Sequence, residues 1–280
     1  MLKPAGGVSN IKTLLHVILF WVIFLGVYMM VSFLLYPFIP VHKGMGGMRH
    51  GLTGTIWSLL ITWLFLKRNK KSFKDIGLVW EAKSLLRFFA GMLIGAVIFA
   101  VVILGFLQFA GLTIVKTNTH PDAWFMLSLV SILPLAFMEE VAFRSYPLVS
   151  LSKAYGLRIA QLIIAIAFAL YHIANGWNII AAFGGTFVWS YLFGLTAAWS
   201  GGIAAATGLH VALNLAQSVL DMKGQGVTAW KLSFNGISTA ESAARAQNVG
   251  IVLQVLVLII TIVVMELYIR RKANKKPPSF

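Results

Sequence analysis

In a chain of 280 residues, 59% are hydrophobic and 11% are charged. A soluble domain carries roughly 25% charged residues, so this composition describes an integral membrane protein. The formal charge of +15 reflects 23 Lys and Arg against 8 Asp and Glu. In a membrane chain that balance points to cytoplasmic loops and anionic headgroups, not to nucleic acid. Cysteine is absent, which excludes disulfides, thiolate catalysis and cysteine-ligated metals.

Lys3 and Lys12 precede an apolar run from Leu14 to Phe38. The run is longer than a signal-peptide core and lacks a small-residue cleavage site, so it reads as a first transmembrane helix. Further spans are expected over 51–66, 85–109, 123–150, 157–174, 178–199, 202–220 and 248–269. The second is short, and the fourth is interrupted by Pro134 and Pro147. The expected fold class is all-α: a polytopic transmembrane helix bundle of about eight spans in one domain over residues 1–280.

Charge orients the bundle. One set of connections holds Lys3, Lys12, Lys67, Arg68, Lys70, Lys71, Lys74, Lys83, Arg87, Arg144, Lys153, Arg158, Arg270, Arg271, Lys272, Lys275 and Lys276. The other holds only Lys43, Arg49, Lys116, Lys223, Lys231 and Arg245. The positive-inside rule then makes both termini cytoplasmic. The expected setting is a multi-pass protein of the cell membrane in a prokaryotic host.

Within the fourth span, Glu139 and Glu140 stand together in Leu135-Ala136-Phe137-Met138-Glu139-Glu140-Val141-Ala142-Phe143-Arg144. A charge at bilayer depth costs a few kcal/mol or more and is normally kept for a function. Glu140 and Arg144 are four apart and share a helix face, whereas Glu139 is rotated by about 100°. One carboxylate is thus available to pair with the arginine while the other faces a cavity as a general base. A buried ion pair that only fixes helix packing is the competing explanation for Glu140 and Arg144.

The fifth span carries Phe168-Ala169-Leu170-Tyr171-His172, and a turn is expected near Gly156. Glu139 and His172 are almost equally far from that turn along the chain, which sets them at similar depth if both arms are helical. A lone histidine bonded to a neighbouring carbonyl is the blander alternative. In the seventh span Thr207, His210, Asn214 and Gln217 form one polar stripe. Such a stripe serves either as a hydrogen-bonded helix seam or as a set of donors to a developing oxyanion. Gly184, Gly185, Gly194, Gly201 and Gly202 read as packing residues that allow close helix approach.

Neither a His-Glu-x-x-His zinc motif nor a Gly-x-Ser-x-Gly elbow occurs. Hydrolysis would require Glu and His to activate water directly or through a metal. Zinc held by Glu139, His172 and His210 is the alternative to a metal-free site, since two His and one carboxylate form a known catalytic set. A non-catalytic scaffold or immunity protein is the alternative outside enzymes. A proton-coupled transporter is disfavoured by the lack of matching broken helices in two halves.

The ordered set Glu139-Glu140-x-x-x-Arg144, Phe168-x-x-x-His172 and His210-x-x-x-Asn214 resembles the CAAX protease and bacteriocin-processing (CPBP, or Abi) family. Phe73-Lys74-Asp75-Ile76-Gly77-Leu78 is similar to a further segment of that family. The motifs occupy a core over residues 123–220. The resemblance implies a membrane-embedded endopeptidase of the glutamate type, with no metal cofactor. It assigns water activation to Glu139 and His172, the oxyanion hole to His210 and Asn214, and support to Glu140 and Arg144. The implied partner is a peptide or protein substrate at the lipid bilayer, prenylated or not. Eukaryotic and archaeal relatives trim prenylated CAAX proteins at the cytoplasmic side, and bacterial relatives are linked to bacteriocin immunity and peptide maturation.

Overall fold

Apolar runs of this length become helices because lipid offers no outside partner for backbone N–H and C=O groups. The computed structural model describes residues 7–39, 41–42, 45–222, 224, 226–236 and 238–274. Lys3, Lys43, Lys223, Lys275 and Lys276, which contribute to the charge asymmetry, lie outside them.

The first three helices are α1 (Gly7–Leu35), α2 (Gly46–Arg68) and α3 (Ala82–Phe109). The expected fourth span is a series of three: α4 (Ala123–Val130), α5 (Ile132–Arg144) and α6 (Tyr146–Tyr155). Next come α7 (Leu157–Ala174) and the single turn α8 (Ile179–Ala181), which runs through a π-helical turn at Ala182–Thr186 into α9 (Phe187–Ser200). The last helices are α10 (Ile203–Val219) and α11 (Ala240–Asn274).

Among the described residues, 6 helical stretches are long and apolar enough to cross a membrane. The expected second and seventh spans, α2 and α10, are helices but are not among them. α10 has 17 residues, fewer than the stretches that qualify. α2 is diluted by its own packed face, where Gly51, Gly54, Ser58 and Thr62 are buried. These small and hydroxyl residues bring α2 against α5: a Cβ on Gly51 would lie 2.7 Å from the Leu135 amide nitrogen.

A short β-ribbon accompanies the helices. Leu112–Lys116 (β1) and Trp230–Phe234 (β2) pair antiparallel, from Leu112 opposite Phe234 to Lys116 opposite Trp230. Thr113, Ile114 and Val115 are β-branched and follow Gly111 in the left-handed region (φ 67°), so the chain leaves α3 in an extended path. The ribbon ties the loop after α3 to the loop after α10.

Two breaks shape the motif-bearing helices. At Ser145 (φ −88°, ψ −106°) α5 ends and α6 starts, with Pro147 in the first turn, where its missing N–H costs nothing. The Trp21 indole donates to the Ala142 carbonyl at 3.1 Å, and the Ser145 hydroxyl donates to the Val141 carbonyl. Gly156 (φ 81°) then makes the expected turn into α7. Phe20, Trp21 and Phe24 of α1 form the core with Phe143, Tyr146, Phe168 and Tyr171.

α3 and α10 also approach closely. A Cβ on Gly208 would overlap the Phe88 carbonyl oxygen, and one on Gly91 the Ala205 carbonyl oxygen. Gly208→Ala is therefore expected to destabilise the protein by ~1–3 kcal/mol through overpacking. The readout is a lower melting temperature in detergent. Gly26→Ala, at a position with no atom within 4 Å of an added Cβ, should not lower it. An unchanged melting temperature for Gly208→Ala would contradict this packing.

Candidate active site

The i, i+4 spacing on α5 brings Arg144 Nη1 to 3.4 Å from Glu140 Oε1, and both side chains are fully buried. Arg144 Nη2 donates to the Ser190 hydroxyl of α9 at 2.8 Å. Its guanidinium lies over the Phe168 ring of α7, 4.2 Å from the centroid, and 5.2 Å from that of Phe193 on α9. Aromatic faces favour a desolvated cation.

His210 of α10 completes the cluster. Its Nδ1 sits 2.9 Å from Glu140 Oε1, and its ring stacks on Phe193 at 4.3 Å between centroids and 16° between planes. With Glu140 ionised, Nδ1 carries the proton and donates, because a carboxylate only accepts. Nε2 is then left for the cavity and lies 3.7 Å from Glu139 Oε2. It accepts when the ring is neutral and donates when the ring carries both protons.

Glu139, rotated from Glu140, lines a cavity of about 830 Å³. His172, His210 and Asn214 line the same cavity, as does Gln217. His172 Nδ1 lies 2.9 Å from the Phe168 carbonyl oxygen, one turn earlier on α7. That carbonyl fixes the proton on Nδ1 and leaves Nε2 as an acceptor. The Trp177 ring meets the His172 ring edge-to-face at 5.1 Å.

The polar stripe of α10 divides by position. His210, Asn214 and Gln217 reach the cavity, whereas the buried Thr207 hydroxyl bonds back to the Ile203 carbonyl at 2.9 Å. The glycines divide as well. A Cβ on Gly194 would overlap the Gln161 amide, and one on Gly202 the Gly77 carbonyl, as packing residues should. Gly184 and Gly185 instead line the cavity within the π-helical turn: a Cβ on Gly184 would lie 3.8 Å from the Gln254 side-chain oxygen and one on Gly185 would meet nothing within 4 Å, so neither is required for a tight helix contact.

Some residues of the site escape the sequence. Ser190 and Phe193 secure Arg144 and His210, but nothing in the sequence of α9 marks them. Tyr28 and His50 line the cavity from α1 and α2, with the Tyr28 hydroxyl 3.0 Å from His50 Nδ1. A histidine opening an apolar helix was a usable signal for His50. Among the described residues, no group of three His, Asp or Glu side chains is gathered closely enough to hold one metal ion.

Fold and site together define a helical membrane protein with a buried carboxylate–guanidinium–imidazole cluster beside a largely apolar cavity that Glu139, His172 and Asn214 also line. Residues 121–216 match the family model described as Type II CAAX prenyl endopeptidase Rce1-like. The matched segment runs from before α4 into α10 and contains Glu139, Glu140, Arg144, His172, His210 and Asn214. It supports the CAAX protease family, and with it a membrane protease in general. No curated protein and no solved structure matches the chain.

Removing one member of a fully buried ion pair strands the other charge, a loss of ~3–5 kcal/mol. Arg144→Met is expected to destabilise the folded protein on that scale, and adding Glu140→Gln should recover part of it. Thermal unfolding of both single variants and the double variant in detergent measures the coupling. Additive losses would show that the two side chains do not act as a pair.

Proposed function

We propose that the chain is a membrane-embedded endopeptidase that hydrolyses a peptide bond with water activated by Glu139 and His172. The observation that carries this is the separation of two neighbouring carboxylates. Glu140 is buried against Arg144 and His210, while Glu139 lines the cavity with His172 and Asn214.

In this mechanism a water molecule lies between the Glu139 carboxylate and His172 Nε2. Glu139 takes a proton as the water oxygen attacks the peptide carbonyl carbon. The carbonyl oxygen becomes an oxyanion and receives hydrogen bonds from Asn214 and, with the ring carrying both protons, from His210 Nε2. Each preorganised donor of this kind is worth roughly 3–4 kcal/mol in the transition state. Collapse of the intermediate breaks the C–N bond, and Glu139 returns its proton to the leaving amine. Glu140 and Arg144 hold His210 and do not touch substrate.

The protein works without a metal, and zinc on Glu139, His172 and His210 is the runner-up. All eight major hydrophobic segments cross the bilayer, including α2 and α10, with both termini and the basic loops in the cytoplasm. In a prokaryotic host the membrane is the cell membrane. The substrate is a peptide or protein; the family description names a prenyl endopeptidase, so CAAX-type and peptide-processing substrates both fall within this function.

Glu139→Gln and His172→Ala should each reduce cleavage at least 100-fold, the scale on which acid–base groups contribute, while the protein still inserts and accumulates. Comparative peptidomics of cells expressing wild-type or Glu139→Gln protein supplies the readout. Unaltered peptide profiles would remove the enzymatic assignment and leave a scaffold or immunity role. Full activity after rigorous metal stripping is expected; loss of activity restored by stoichiometric zinc would install the runner-up.

A further inference from the structure

The two ends of the bundle differ in charge, and the cavity lies toward only one of them. At the first end, Gly77 packs on Gly202, and Arg158 pairs with Glu266 at 2.5 Å. The Tyr268 hydroxyl there donates to the Ala198 carbonyl at 2.9 Å. This end gathers Lys67, Arg68, Lys70, Lys71, Lys74, Lys153 and the Arg270-Arg271-Lys272 run. At the second end β1 pairs with β2, and the His42 ring stacks on Trp124 at 4.0 Å. Its described basic residues are Arg49, Lys116, Lys231 and Arg245, set against Asp122, Asp221 and Glu241.

The cavity takes its walls from the ribbon-end halves of the long helices. Tyr28 comes late in α1, His172 and Gln217 stand near the ends of α7 and α10, and His50 and Gln247 near the starts of α2 and α11. Met222, in the loop after α10 and 41% exposed, stands at its rim. The positive-inside rule puts the lysine-rich end in the cytoplasm. The cavity therefore lies toward the other side.

We infer that the cavity receives its peptide from the extracytoplasmic face of the membrane, and that the substrate is an exported or membrane-anchored peptide segment with uncharged residues around the cleaved bond. The second part follows from the walls. Among the described residues, Glu139 is the one acidic residue lining the cavity, and neither Lys nor Arg lines it. An acidic residue beside the scissile bond would have no Lys or Arg to pair with among those lining residues, and a basic one would engage the Glu139 base, whereas amides such as Asn214, Gln217 and Gln247 suit peptide groups. This rests on the endopeptidase function proposed above. It departs from cleavage of a prenylated cytoplasmic C-terminus, one of the two kinds of activity that the family resemblance implies.

The native chain contains no cysteine, so single-cysteine variants report sidedness without background. Met222→Cys and Lys71→Cys are treated with a membrane-impermeant maleimide in intact cells and after permeabilisation. Met222→Cys is expected to label fully in intact cells, and Lys71→Cys only after permeabilisation. The reverse pattern, or equal labelling of both in intact cells, would overturn the inference. In parallel, peptides lost in cells carrying Glu139→Gln should come from the envelope and medium fractions; losses confined to cytoplasmic peptides would also overturn it. Labelling reads orientation whether or not the protein cleaves anything. The expected labelling with no change in any peptide fraction would therefore defeat the endopeptidase function and the substrate assignment, but not the orientation.

Discussion

The Glu140 carboxylate, removed from water, organises the rest of the site. Taking an ion out of solvent costs several kcal/mol even after relaxation, and the cost is offset only by well-placed partners. Glu140 finds them on its own helix in Arg144 and across the bundle in His210. Arg144 in turn engages Ser190 on α9 and the face of Phe168 on α7. Four helices are thereby referred to one buried charge. Phe168 is one turn before His172, and Asn214 one turn after His210, so holding the first member of each pair sets the second at the cavity. Glu139 follows from helical geometry alone: beside a residue committed to the interior, its side chain leaves α5 in another direction.

That direction leads to a cavity only because the surrounding helices approach closely elsewhere. Glycines on α3 and α10 meet carbonyl groups of the facing helix, and the small residues of α2 let α5 settle against it. Lipid gives no hydrophobic drive for helices to associate, so close packing and polar contacts must supply it. The chain break at Ser145 adds a second control. It ends α5 directly after Arg144, and its loosened carbonyls are taken up by Trp21 and by Ser145 itself.

Much of this was legible in the sequence, and the reasons are physical. Hydropathy located the long helices because the bilayer demands continuous apolar runs. It marked α2 only as a short span, because the small and hydroxyl residues packed on its buried face lower its hydropathy. The ion pair of Glu140 and Arg144 was readable from i, i+4 spacing, and the turn at Gly156 from its break in apolar character. The His210–Glu140 contact was not readable, since it joins residues 70 apart in the chain and spacing carries no information across helices. Ser190 and Gly184 were opaque for another reason: a small residue in a membrane helix means packing in one context and cavity wall in another. The ribbon was hidden by its brevity, although its β-branched run after a left-handed glycine was a local sign.

The structure divides two adjacent glutamates into a buried brace and a cavity-facing carboxylate. Carboxyl-directed labelling of the folded protein in detergent, with a water-soluble carbodiimide and a small amine followed by peptide mass spectrometry, tests that division most directly. Glu139, whose side chain is 14% exposed, should be modified, while Glu140, at 0%, stays protected until the protein is unfolded. Modification of Glu140 in the folded state, or equal modification of the two, would contradict the division.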